Sequence, residues 1–180
     1  MKSKLLLHTC CAICSCHVLD KLRQEFDVTA YFYNPNISPR EEYEKRRDSV
    51  KDWCEKVGLT FLEGSSGFNE WSEAILGLEK EPEGGTRCPV CFRVRLEETA
   101  KFAKTNGFEY FATTLTMGRN KRADIINPIG QDLAKKYRLN FYEADWKKAG
   151  GQERAYEIAK ENNLYHQNYC GCLFSQRLRS

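Results

Sequence analysis

The chain has 180 residues, enough for one domain whose core needs no disulfide staples. Its composition, 41% hydrophobic and 29% charged, excludes a disordered or fibrous protein, and its longest apolar runs fall far below a bilayer span. Net charge is +3 from 28 basic and 25 acidic residues, which neither demands nor excludes a nucleic-acid partner.

Leu5–His8 reads as a short apolar strand that breaks at Thr9-Cys10-Cys11, and a helical pattern follows through His17–Leu22 to Phe26. Val28–Tyr33 is a second strand, ended by Asn34-Pro35-Asn36. Ser38-Pro39 predicts a helix N-terminus, with Ser38 as the cap and Pro39 at the first helical position, running to Val57 and stopped by Gly58. Leu59–Leu62 is a third strand. Residues 64–87 carry glycines, Pro82 and acidic charges and read as an irregular or partly helical insert. Pro89–Asn106 is helical again with Gly107 as its stop. Phe108–Leu115 and Phe141–Ala144 are the fourth and fifth strands, separated by a helix around Asp132–Tyr137. Gln152–Asn162 is a last helix before a cysteine-bearing segment, 163–180. Strands and helices alternating at this spacing predict one α/β domain with a parallel sheet. The N-terminus runs straight into the first strand with no signal-peptide pattern, so a cytoplasmic protein without a membrane segment is expected.

Nine cysteines dominate the chemistry. An odd count without a secretory signal points to metal or redox chemistry rather than to a disulfide scaffold. The first group, His8-Thr-Cys10-Cys11-Ala-Ile-Cys14-Ser-Cys16-His17, falls where the first strand turns into the first helix, at the carboxyl edge where open α/β sheets bind ligands. A thiolate at a helix N-terminus is stabilised by the free N–H groups. In an extended strand Cys10 and Cys11 point to opposite faces, so joint ligation requires a turn between them. Cys16 is the member best explained as buried structure.

The second group, Glu83-Gly84-Gly85-Thr-Arg87-Cys88-Pro-Val-Cys91, carries a Cys-x-x-Cys pair at a loop-to-helix junction, suited to a metal or to a redox disulfide. The third, Tyr165-His-Gln-Asn-Tyr169-Cys170-Gly171-Cys172, places two thiols around one glycine, suited to a shared metal or to a small strained disulfide. Cys54 reads as a core thiol. His8 and His17 read as orienting groups, and Arg46 and Arg47 as a solvated helix face. Gly118-Arg119-Asn120-Lys121-Arg122 follows the fourth strand and suits phosphate contacts, with Arg177 and Arg179 extending that surface. No Walker or Rossmann glycine pattern is present, which leaves ATP and NAD binding unsupported.

These motifs, together with Tyr33-Asn-Pro-Asn-Ile37, Glu42-Tyr43 and Thr113-Thr114-Leu115, resemble the cobalamin-independent, iron–sulfur epoxyqueuosine reductase family over nearly the whole chain. One departure is Ile13, where the family usually carries Pro. The resemblance implies a Rossmann-like, nucleotide-hydrolase-type parallel sheet with helices on both faces. It implies reductive deoxygenation of epoxyqueuosine in the wobble position of tRNA, the last step of queuosine biosynthesis, fed by an external electron donor. It further implies a [4Fe-4S] cluster on Cys10, Cys11, Cys88 and Cys91, a redox-active Cys170/Cys172 pair, and a second, mononuclear iron, for which Cys14 and a carboxylate such as Asp145 are candidate ligands. Two rivals remain at this level: a sulfur-transferring tRNA thiolation enzyme and a zinc-stabilised nucleic-acid module.

Overall fold

The computed structural model describes residues 1–177. Arg179 lies outside the described residues, as does the side chain of Arg177. Five strands form one wholly parallel sheet: β1 (Lys4–Thr9), β2 (Asp27–Phe32), β3 (Thr60–Glu63), β4 (Tyr110–Thr113) and β5 (Asn140–Phe141), in the order β3-β2-β1-β4-β5. The chain winds outward from β1 to one side, then crosses back to start β4 on the other. The switch point of the doubly wound sheet is therefore the crevice between the carboxyl ends of β1 and β4, where such sheets bind ligands.

β1 shows how the layers are built. Its side chains alternate, so Leu5 and Leu7 enter one core and Leu6 the other, all fully buried. On the first face Leu5 and Leu7 pack with Val28, Ala30 and Phe32 against α1 (Ala12–Leu22), α2 (Arg40–Val57) and α6 (Gly151–Glu161). On the second face Leu6, Tyr31, Phe111 and Phe141 pack against α4 (Arg87–Thr105) and α5 (Ala123–Tyr137). Gly130 lets α5 approach the sheet, since a Cβ there would lie 2.4 Å from the Phe141 ring.

The expected strands are all present: the first extends one residue further at each end, the second and third are shifted by one residue, and the fourth and fifth are shorter than expected. The fourth stops at Thr113 because residues 115–117 coil into a 3-10 turn, and the fifth keeps only two residues. The helix expected around 132–137 starts nine residues earlier, at Ala123, and carries Pro128 inside it. Pro39, not Ser38, is the N-cap residue of α2, and the Ser38 N–H donates to Gly171 O at 2.9 Å. Gly58 ends α2 in the left-handed conformation, as expected. The insert contains one short helix, α3 (Phe68–Ala74), and the chain's last described element is α7 (Leu173–Arg177). Among the described residues, no helix is long and apolar enough to cross a membrane.

Candidate thiol site at the switch point

Beyond Thr9 the chain bends, and Cys11 becomes the extended cap of α1, with φ −169° and ψ 160°. That bend supplies the turn that joint ligation requires: Cys10 Sγ and Cys11 Sγ lie 3.8 Å apart, and Cys14, one helical turn on, completes a buried trio whose sulfurs are all within 4.8 Å of one another. Tetrahedral ligation at metal–sulfur bonds of about 2.3 Å spaces its sulfurs by about 3.8 Å, so the trio fits three corners around one ion. Among the described residues it is the one group of three His, Cys, Asp or Glu side chains packed this closely.

Protonation in the trio is shared unequally. Hydrogen bonds from Cys11 and Cys14, with Lys121 and Arg95 nearby, hold the Cys10 thiol well below its usual range despite its burial. Burial and the Cys10 thiolate push Cys11 up to about 12, and hydrogen bonding with Cys10 pushes Cys14 well above the usual value. The trio thus accommodates one thiolate on its own and needs a cation to ionise fully. Thr114 and Gln167 complete its surroundings. Cys10 N–H donates to the Thr114 hydroxyl at 3.3 Å, and Gln167 Nε2 donates to Cys11 Sγ at 2.8 Å.

Four more thiols, Cys88, Cys91, Cys170 and Cys172, wall a second cavity of about 30 Å³ together with Asn36, Trp71 and Arg95. Three buried polar atoms of those residues, Asn36 Oδ1, Trp71 Nε1 and Arg95 Nε, lack hydrogen-bond partners. Gly84 N–H donates to Cys88 Sγ at 3.2 Å, and burial raises the Cys88 pKa. All nine cysteines are free thiols. Within the Cys170/Cys172 pair, the hydrogen bond from Cys172, helped by Ser175 and Lys121, lowers Cys170 to about 5 while Cys172 is pushed up.

A wider pocket of about 340 Å³ opens above the trio, lined by Cys10, Cys14 and Cys170 below and by Arg119, Tyr156 and His166 among its rim residues. Glu83, Asn120, Lys121 and Cys170 line both cavities and join them into one site. Lys121 is central. Burial works against its ammonium, but the thiols of Cys10, Cys14 and Cys170 outweigh that and hold its pKa up. Its loop is pinned by Lys147 Nζ, which donates to the carbonyls of Thr116 and Lys121 at 2.9 and 2.7 Å.

Several expectations change here. Asp145 does not wall either thiol cavity; it lies four residues beyond β5, lines a separate pocket with His17, and sits 3.6 and 3.8 Å from Lys147 and Lys148. The carboxylate at the thiol site is Glu83, part of a quoted motif but given no role from sequence. Arg46 is not solvated but 2% exposed, whereas Arg47 keeps a more exposed side chain near Asp48 and Glu63. Of the basic loop, Arg119 and Lys121 line the pocket, while Arg122 pairs with Asp124. Cys16 donates to the carbonyls of Ile13 and Ala155, and Cys54 is buried in the core, as expected for structural thiols. His8 orients the site from below, between Thr113 Oγ1 and Tyr33 O.

Fold and site together define a Rossmann-like α/β protein that gathers seven thiols at its switch point. The family model for epoxyqueuosine reductase QueH matches residues 5–178. Relatives bearing that name are 40% identical over 99% of this chain and 72% of the protein from Streptococcus pyogenes serotype M1, and 36% identical over 95% of this chain and 89% of that from Thermotoga maritima. The chain belongs to the epoxyqueuosine reductase QueH family, a family of oxidoreductases.

Among solved structures, the fold is similar to the U34-tRNA thiolase NcsA from Methanococcus maripaludis with its [4Fe-4S] cluster. The TM-score is 0.62 at 14% identity, covering 98% of this chain and 63% of that one. A predicted subunit of tRNA methyltransferase from Methanocaldococcus jannaschii gives 0.57 at 9% identity, covering 93% and 94%.

Proposed function

We propose that the chain reduces epoxyqueuosine in the wobble position of tRNA to queuosine, in the cytoplasm, with electrons from an external donor. The observation that carries this reading is family membership over nearly the full chain, on a site where six thiols line two cavities that share Glu83, Asn120, Lys121 and Cys170, with Cys11 buried beside them.

The reaction removes one oxygen with two electrons and two protons and releases water. The donor set fits an iron–sulfur group: cysteine thiolates are its ligands, and the half-buried Lys121 and the buried Arg95 stand near them to offset negative charge. Cys10, Cys11, Cys88 and Cys91 would hold a [4Fe-4S] cluster, and Cys14 is the thiol available to a second, mononuclear iron. Such groups, when bound, pass single electrons and act as Lewis acids toward an epoxide oxygen. The residues themselves do the rest. Cys170 and Cys172 are the redox pair, releasing two electrons and two protons as they join. Arg119 and the rim of the wider pocket receive the nucleotide, and Lys121 holds the site's charge balance.

The test is anaerobic turnover of tRNA carrying epoxyqueuosine by iron- and sulfide-reconstituted protein, read by mass spectrometry of the released nucleosides. Loss of one oxygen from the modified nucleoside is expected, and metal-replete protein that leaves the epoxide intact would overturn the reading. Cys88→Ala is expected to lower iron and sulfide per chain and to abolish turnover. Full iron content at the wild-type rate in that variant would remove Cys88 from the ligand set.

A further inference from the structure

We infer that Arg46 is a positioning residue for the Cys170–Gly171–Cys172 turn, its guanidinium fixing the peptide groups on which the two thiols are mounted. The inference deepens the proposed function and rests on its reading of Cys170 and Cys172 as a thiol–disulfide pair.

Arg46 lies on α2, 124 positions from Cys170, and is 2% exposed. A guanidinium carries five N–H donors and keeps its charge, so burying it demands partners. Its Nε donates to Glu42 Oε1 at 2.7 Å, one helical turn back. The other two nitrogens reach the tail: Nη2 donates to Tyr169 O at 3.0 Å and Nη1 to Cys170 O at 3.2 Å. The guanidinium also stands 5.2 Å from the centre of the Tyr169 ring. Glu42 uses its second oxygen to accept the Tyr165 hydroxyl at 2.6 Å, so one buried ion pair ties down both ends of the segment 165–170.

The turn itself is pressed against this pair. Gly171 has φ +101°, and a Cβ there would fall 3.1 Å from Arg46 Nη1 and 2.8 Å from Ile37 Cγ1. On its far side the turn is held by Ser38 N–H on Gly171 O and by a bridge from Ile37 to Cys172.

The chemistry follows from which peptide is held. Joining Cys170 Sγ to Cys172 Sγ releases two protons and two electrons. The two electrons form the C=C bond as the epoxide's two C–O bonds break, its oxygen takes the two protons and leaves as water, and an external dithiol later reduces the disulfide, becoming a disulfide itself. A disulfide between residues two apart closes a small ring that contains both peptides between them, so closure depends on how freely those peptides turn. The Cys170 carbonyl belongs to one of those peptides, and Arg46 holds it in the dithiol geometry. Arg46 therefore opposes disulfide closure and keeps the pair reduced until substrate is present.

The experiment equilibrates holoprotein in glutathione buffers of stepped ratio, traps free thiols by alkylation, and reads the Cys170–Cys172 disulfide by peptide mass spectrometry. Arg46→Met is expected to raise the oxidation equilibrium constant about tenfold, about 30 mV for this two-electron couple. Arg46→Lys is expected to raise it less, because an ammonium keeps the charge without the two-pronged grip. Arg40→Met, on the exposed side of the same helix, should match wild type, and iron content should be equal throughout.

A wild-type constant in Arg46→Met overturns the inference; if that variant fails to fold, a wild-type constant in Arg46→Lys does so. Should wild-type protein form no Cys170–Cys172 disulfide at any ratio, the redox-pair reading falls instead. Amide hydrogen exchange then decides the clamp: faster exchange at Gly171 and Cys172 in Arg46→Lys supports it, and unchanged protection overturns it.

Discussion

His8, fully buried beneath the thiols, has one arrangement of protons available to it. Tyr33 O can only accept, so Nε2 carries the hydrogen at 3.1 Å, and Nδ1 accepts from the Thr113 hydroxyl at 2.9 Å. Burial, with Arg95 adding to it, lowers its pKa from 6.5 to about 3. The unfolded chain therefore binds a proton that the folded chain refuses. The stability this neutral imidazole contributes is fully present above pH 6.5 and is lost as pH falls toward about 3. The slope is about 1.4 kcal/mol per pH unit. His8→Gln keeps a donor for Tyr33 O but cannot titrate. Its stability deficit against wild type, read from urea unfolding, is expected to shrink by about 2 kcal/mol between pH 7 and pH 5. An unchanged deficit at the two pH values would mean that His8 takes up its proton as readily in the fold as in the unfolded chain.

At the scale of elements, α5 reaches the sheet only because residue 130 has no side chain. A methyl group there would lie 2.4 to 2.6 Å from three atoms of the Phe141 ring, which is 9% exposed and has little room to withdraw. Gly130→Ala improves helix propensity by about 1 kcal/mol, yet overpacking of this kind costs about 1–3 kcal/mol. A net loss of stability is expected in chemical denaturation, relieved by adding Phe141→Leu; a stabilised Gly130→Ala would show that α5 can shift outward.

The same element marks the limit of what the sequence discloses. Strands and helices were legible because period-two apolar runs alternate with longer helical patterns, and Gly58 behaves as written. The start of α5 was not, since Pro128 looks like a boundary yet lies inside the helix, which continues through it at the loss of one backbone hydrogen bond. The cysteines were likewise legible as motifs, and the switch point explains why the first group falls at the sheet's edge. Arg46 and Glu83 were not. An Arg four residues from a Glu reads identically on a solvated or a buried face, and here burial comes from tail residues more than 120 positions away. Asp145 failed for the converse reason: the short β5 ends early, and the following turn directs the carboxylate to Lys147 and Lys148.

Over the whole molecule the charge is nearly balanced, so attraction for a polyanion has to be local. The pocket above the trio concentrates it. Arg119 and Lys121 line that pocket, and at its rim Tyr156, 40% exposed, stands 5.5 Å from the ring of His166. Cations that contact phosphate beside an exposed aromatic face are the combination by which proteins hold splayed-out RNA bases. The two kinds of residue separate experimentally. Arg119→Ala is expected to remove one phosphate contact, so that the logarithm of tRNA affinity falls less steeply with salt, its slope reduced by about one. Tyr156→Ala removes a stacking face and should weaken binding by about 1–3 kcal/mol with the salt slope unchanged, and Tyr156→Phe should restore it. Neither residue touches the thiols' hydrogen bonds, so iron content and the rate at saturating tRNA should stay at wild type. If both variants instead lose rate with affinity intact, the pocket shapes the reaction rather than the approach of the tRNA, and the RNA backbone is held elsewhere on the surface.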